Sequence, residues 1–334
     1  MLIITKHLNI GGAEKMLLRN LPIFTTLGYK IDLYLLYDYG IYKEYKFNLG
    51  YNTDQFALYS IFPCKTDVYK QLMKTEPQKV YSSVITETYD IEIAFQESYA
   101  TKIISTSSNI KSKKIAWVHS NFQEYHFSTE AYDNNEEELN TYNKFDQIVF
   151  CSESAKHAFD ETLKNNFENK EVIYPLTDFL YNKKYAKKCI QKMQAPYFLV
   201  VTRYSPQKGL DRLIKAAKLL KDSNILFKII IVGNGELEHD ISEMITSLGL
   251  MDEVYMAPAV PDPNPYFLNC ISYVSPSYTE SFGIAVQEAL CMGVPVIACD
   301  TPGTREVFKK IGLFGEIVKP SEYSLASAMQ KFYS

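Results

Sequence analysis

The chain lacks several things that would direct a reading elsewhere. It has one tryptophan, and its six cysteines (Cys64, Cys151, Cys189, Cys270, Cys291 and Cys299) form no C-x-x-C pair. That spacing excludes a disulfide framework or a zinc ribbon and predicts buried free thiols in a reducing compartment. No run approaches the roughly 18 apolar residues that a membrane span requires. The opening MLIITKHLNIGG is too short in its apolar part for a secretion signal. Basic excess is also missing: the net charge is −4, which leaves nothing to neutralise a nucleic-acid backbone and argues against a nucleic-acid partner. The Gly11-Gly12 pair has no third glycine at dinucleotide spacing, and no Walker loop occurs. Alanine and glycine are sparse against 26 tyrosines, which reads as a coding bias with little bearing on mechanism.

What is present is an ordinary globular composition, 46% hydrophobic and 22% charged, on a chain too long for one core. Strands alternate with helices twice over, so the expected class is α/β with two Rossmann-like domains, residues 1–176 and 177–334, hinged near 175–195. The most informative stretch is SPSYTESFGIAVQEALCMGVPVIACDTPGTRE, Ser275 to Glu306. It carries Glu280 and Glu288. Eight helical steps would leave these about 80° apart, so one continuous helix aligns them poorly. A loop that turns at Ser281-Phe282-Gly283 into a helix over 284–292, stopped by Gly293, suits them better. The N-terminus of that helix, around Phe282, Gly283 and Ile284, then offers unpaired N–H groups and a positive dipole end to an anion. An anion cradle between two carboxylates that accept hydroxyls suits a nucleotide sugar.

The run PSYTESFGIAVQEALCMGVPVIA resembles the Glu-x7-Glu signature of the retaining family-4 glycosyltransferases, the group 1 glycosyl transferases of GT-B fold. Further landmarks are Gly11-Gly12-Ala13-Glu14 after the first strand, Arg203 to Gly209 (RYSPQKG), and Gly233-Asn234-Gly235-Glu236. His119, at the end of the strand that closes in Trp117-Val118, matches the family's strand-end histidine, and FDQIVFCSESAKHAF matches the last βα unit of its N-terminal domain. Thr202 stands where relatives usually have glycine. The resemblance covers nearly the whole chain, strongest over 197–310 and absent over 38–80, a tyrosine-rich stretch that the family turns toward its acceptor.

The resemblance implies two Rossmann-like domains facing across a cleft, and a sugar moved from a nucleotide-diphosphate sugar, expected to be a UDP-sugar, to a glycan or lipid-linked acceptor of bacterial surface polysaccharide. Glu280, His119, Arg203 and Lys208 are the expected catalytic residues. Gly11, Gly12, Gly233, Phe282, Gly283, Ile284 and Glu288 are the expected donor-binding ones. Arg203 and Lys208 would meet the diphosphate, Glu288 the ribose and Glu280 the transferred sugar. Since no Asp-x-Asp occurs, neither a metal nor any other cofactor is expected. The rivals are a GT-B epimerase and a partner subunit that has lost the chemistry. Of the other histidines, His7 lies near the first loop, while His126, His157 and His239 are expected to face solvent. The lysines of 181–192 and of KSKK at 111–114 are read as solvated faces, with a peripheral membrane contact as the rival. The expected place of work is the cytoplasm, including the inner face of the cell membrane. Relatives often carry one or two further helices at the C-terminus.

Overall fold

The computed structural model describes residues 1–9, 11–37, 55–62, 75–164, 167–177, 196–260 and 262–333. The lysines of 181–192 and most of 38–74 lie outside these. The chain divides between Leu176 and Thr177 into two units, with Gly11 and Gly12 grouping with the second.

The first unit runs β1 (Leu2–Thr5), α1 (Gly12–Thr26), β2 (Ile31–Tyr37), β3 (Phe56–Phe62), α2 (Pro77–Val84), β4 (Ile91–Ala94) and α3 (Tyr99–Ser105). It continues with β5 (Lys113–Val118), a 3-10 turn (Phe127–Ala131), α4 (Asn135–Tyr142), β6 (Gln147–Phe150), α5 (Glu153–Leu163) and β7 (Lys170–Val172). The second unit runs β8 (Tyr197–Val201), a 3-10 turn (Pro206–Lys208), α6 (Leu210–Asp222), β9 (Ile229–Gly233), α7 (Glu238–Ser247), β10 (Val254–Pro258) and α8 (Asn264–Phe267). Then follow β11 (Cys270–Ser275), α9 (Ile284–Cys291), β12 (Val296–Cys299), α10 (Pro302–Ile311), β13 (Gly315–Val318) and α11 (Glu322–Tyr333).

Each unit holds one parallel sheet. The orders are β3-β2-β1-β4-β5-β6-β7 and β10-β9-β8-β11-β12-β13. The central strands are largely apolar because helices cover both faces: β1 and β9 are buried at every position. Helix α6 shows the matching logic, with Leu210, Leu213, Ile214, Ala217 and Leu220 at three- and four-residue steps, all buried against the sheet. Caps fix several helix starts. Ser152 Oγ accepts from the Ala155 N–H, Asn134 from Glu137, and Thr301 from Thr304.

Both orders reverse direction once, between β1 and β4 and between β8 and β11. In open α/β sheets the crevice outside the carboxyl ends of the strands at such a reversal is where ligands bind. The loops there are residues 6–9 and 95–98 in the first unit, and 202–209 and 276–283 in the second.

Two elements were not legible beforehand. β3 is an edge strand with Tyr59 and Ser60 exposed, so its alternation is weak. Helix α4, NEEELNTY, buries only Glu138, Thr141 and Tyr142 and carries three glutamates in its first turn. His126 needs correction. His157 and His239 are exposed, but the His126 side chain is only 15% exposed, pairs with the buried Glu138 at 2.8 Å and stacks on Phe122. Its polar neighbours in sequence concealed a partner twelve residues on.

The glycines at the strand ends are there for space. A Cβ on Gly303 would lie 2.1 Å from the Glu280 carbonyl oxygen, whereas one on Gly249, at φ +67°, would meet nothing within 4 Å. Gly303→Ala should therefore cost about 2 kcal/mol or more through forced backbone movement. Gly249→Ala should cost about 1 kcal/mol through φ alone. Thermal denaturation of the two variants checks the order; an equal shift would show that the Glu280 loop moves aside freely.

Candidate active site

The second unit's site is built from three loops. After β8, the chain turns through Thr202-Arg203-Tyr204-Ser205 into the 3-10 turn and reaches Gly209 at φ 62°, a left-handed position that opens α6. A Cβ on Gly209 would lie 2.2 Å from the Pro276 carbonyl oxygen, so the β8 loop rests directly on the β11 loop. The Tyr278 N–H donates to the Gln207 carbonyl at 2.9 Å and ties the same two loops again. The result is a direct side-chain contact across the reversal point: Lys208 Nζ donates to Glu280 Oε1 at 2.8 Å. Ser277 Oγ donates to that same oxygen at 2.8 Å. Both bonds fall on Oε1, which orients the carboxylate and leaves Oε2 to accept from a ligand hydroxyl.

Arg203 is exposed at the mouth of the β8 loop. Ser205 Oγ, between the two bases, is buried and has no hydrogen-bond partner. Such an orphan hydroxyl is costly unless something else comes to it.

Beyond Glu280 the chain turns at Ser281-Phe282 and reaches Gly283 at φ 89°, from which α9 starts. The first intrahelical bond is the Gln287 N–H to the Gly283 carbonyl, so the N–H groups of the first turn have no acceptor within the helix. Helix α9 ends at Cys291, with Met292 as its cap and Gly293 left-handed beyond. Glu288 lies one turn in and is 1% exposed, while the Glu280 side chain keeps 14%. The Tyr273 phenol records both carboxylates. Burial first, and then the charges of Glu280 and Glu288, push its pKa well above the usual value. Loop and helix thus bring the two glutamates around one buried ring, which one continuous helix would not do.

Gly233 has a packing reason beside any ligand role. A Cβ there would lie 1.9 Å from the Thr202 carbonyl oxygen.

Gly11 and Gly12 precede and open α1 after β1. His119 follows β5. Its Nε2 lies 2.8 Å from the Phe95 carbonyl oxygen, which can only accept, so Nε2 carries the proton and Nδ1 keeps its lone pair. Glu97, which sequence reasoning missed, organises this corner. It is 3% exposed and accepts from the backbone N–H groups of His119 and Ser120, at 2.9 and 2.8 Å, and from Ser120 Oγ. Next to it Ser98 sits at φ 95°, a strained value for a residue with a side chain, and donates to Glu130, which also pairs with Lys6. His7 pairs with the buried Glu14 at 3.1 Å. Sequence offered a signal for Glu97: a charge three residues past the end of β4, at the reversal point.

Among the described residues, no three His, Cys, Asp or Glu side chains gather as a metal site. No described helix is long and apolar enough to cross a membrane.

Residues 182–334 match the family described as glycosyl transferases group 1. The similarity to that family falls in the second half of the chain. Among similar proteins, the O-antigen chain mannosyltransferase RfbU of Salmonella typhimurium is 33% identical over 172 residues, 50% of this chain and 46% of its own length. An uncharacterized glycosyltransferase of Haemophilus influenzae is 27% identical over 167 residues, 48% of this chain and 44% of its own. The chain thus spans less than half the length of these curated relatives. The whole chain superimposes on Anabaena Alr3699/HepE, solved with UDP and glucose, at a TM-score of 0.78 and 21% identity, covering 100% of this chain and 89% of that one. It shares the two-domain fold of the GT-B glycosyltransferases.

His119 gives a pH test. Burial lowers its pKa from 6.5, more than the Glu97 charge, the Phe95 carbonyl and the Glu14 charge raise it. The folded state therefore holds it neutral where the unfolded chain is protonated, so stability is lost as pH falls through about 6.5 toward the folded value. Denaturant unfolding from pH 7 to 5 should show this slope, and His119→Gln should flatten part of it. An unchanged slope in the variant would mean that His119 does not titrate below its ordinary value.

Proposed function

We propose that the chain is a retaining glycosyltransferase. It would move a sugar from a nucleotide-diphosphate donor, a UDP-sugar, to a glycan or lipid-linked acceptor in surface polysaccharide synthesis, working in the cytoplasm or at the inner face of the membrane. The Lys208–Glu280 contact across the β8/β11 reversal carries this reading. It sets a cation for phosphate beside a carboxylate whose second oxygen can take a sugar hydroxyl. The group 1 match, the UDP and glucose held by the Anabaena protein and the O-antigen chain named for the Salmonella relative support the donor and acceptor classes.

In this mechanism Lys208, Arg203 and the first-turn N–H groups of α9 hold the diphosphate. They stabilise the charge that develops as the bond from the anomeric carbon to the phosphate oxygen breaks. Glu280 binds the transferred sugar and Glu288 the ribose. The acceptor oxygen attacks from the face the diphosphate leaves, and its proton passes to the departing phosphate oxygen, which gives retention. His119, neutral and with its Nδ1 lone pair, takes a hydroxyl of the sugar in the oxocarbenium-like state.

Two experiments test the reading. Lys208→Ala should lower kcat by a few hundredfold, the loss of about 3–4 kcal/mol of transition-state stabilisation, while wild-type turnover survives EDTA. A rate that collapses in EDTA and returns with Mn²⁺ would sink the metal-free mechanism.

The two glutamates should separate kinetically. Glu288→Gln should raise the donor KM and weaken UDP, because the ribose does not react. Glu280→Gln should leave UDP affinity within about threefold and depress kcat. Calorimetric titration with UDP beside initial rates distinguishes them. If Glu288→Gln only lowers thermal stability and leaves KM intact, Glu288 is a buried structural carboxylate and the ribose must be held elsewhere.

A further inference from the structure

Arg212 lies on α6 and is 6% exposed, on a helix whose other buried residues are apolar. Its Nη1 donates to the carbonyl oxygens of Pro276 at 3.1 Å and Ser277 at 3.4 Å, and to Cys299 Sγ at 3.2 Å. Its guanidinium lies 4.0 Å from the centre of the Tyr278 ring, and the Tyr278 hydroxyl donates to Asp211 at 2.9 Å. The buried charge is met by two carbonyls, a thiol and a ring face, with no carboxylate paired to it among the described residues. Burying a cation on neutral partners is a poor route to stability, since taking the charge out of water costs more than such contacts return. What the arrangement does achieve is geometric. Nη1 holds the backbone of residues 276 and 277, the chain segment from which Ser277 Oγ reaches Glu280 Oε1.

We infer that Arg212 is a positioning residue for the transfer: by holding the Pro276 and Ser277 carbonyls from beneath, it fixes the loop that presents Glu280 to the donor sugar. The inference rests on the proposed function for its kinetic consequence but not for its structural one. Arg212 touches neither Lys208 nor Glu280 itself. It acts through the main chain, with Tyr278 laid over it as a lid.

The experiment compares Arg212→Met and Arg212→Lys with wild type in two readouts. The first is amide hydrogen exchange, which needs no activity. In Arg212→Met, the Tyr278 amide, bonded to Gln207, and the Gly303 amide, bonded to Glu280, should exchange about tenfold faster or more. The core amides of β8 should keep their rates. The second readout is kinetic. In Arg212→Met kcat should fall about tenfold or more, with UDP affinity by calorimetry within about threefold, since displacement of a reacting-site group spares binding of the part that does not react. Arg212→Lys, which retains the charge and a donor, should recover most of both. Unchanged loop exchange, or loop and core exchanging faster together, overturns the inference. So does an active wild type whose kcat is matched by Arg212→Met. If wild-type protein transfers no sugar from any nucleotide-sugar donor, the proposed function fails, and the exchange readout still decides whether Arg212 holds the loop.

Discussion

The second unit depends on how closely its strand-end loops approach each other. Four glycines set that distance. Gly209 lies under the Pro276 carbonyl, Gly303 against the Glu280 carbonyl, Gly233 against Thr202 and Gly235 against the Tyr204 backbone. Each admits no Cβ, so the loops after β8, β9, β11 and β12 are locked main chain to main chain. Side-chain chemistry is then placed on a surface with little freedom: a lysine from one loop meets a glutamate from another at hydrogen-bond distance. Preorganisation of this kind is what electrostatic catalysis requires, because charges that need not reorganise act at full strength.

The first unit reaches a similar rigidity by other means. Its loops at the β1/β4 reversal are organised by buried carboxylates rather than by glycine contacts. Glu97 takes the N–H groups at the end of β5, and Glu14 takes His7. Ser98 bears the strain of φ 95° that this geometry imposes. A residue held there stores of order 1–3 kcal/mol, which the surrounding packing must offset.

Much of this was legible in the sequence because periodicity and glycine placement are local signals. The strand apolarity, the turn at Ser281-Phe282-Gly283, the helix stop at Gly293 and the caps at Ser152 and Thr301 can all be read within a few residues. Edge strand β3 and acidic helix α4 were hidden because a half-exposed element carries a diluted pattern. Glu97 and the His126–Glu138 pair were hidden for a different reason: a carboxylate declares its partner only when the fold brings it close. Arg212 is intermediate. A charge among apolar helix positions is visible in the sequence, but the carbonyls it holds lie 64 and 65 residues away.

The two units also differ in what their sites can tolerate. Where backbone meets backbone through glycine, a substitution must move a whole loop, and the displacement is passed to Glu280 and Lys208 together. Where a buried carboxylate gathers N–H groups, removing it leaves donors unsatisfied but does not force atoms apart, so the loop can relax toward solvent. Damage in the second unit should thus be steric and shared between neighbouring site residues. In the first unit it should be local to the strand end that lost its acceptor. The position of His119 illustrates the second case: its ring is held by the Phe95 carbonyl and its main chain by Glu97, two anchors from the single loop that follows β4.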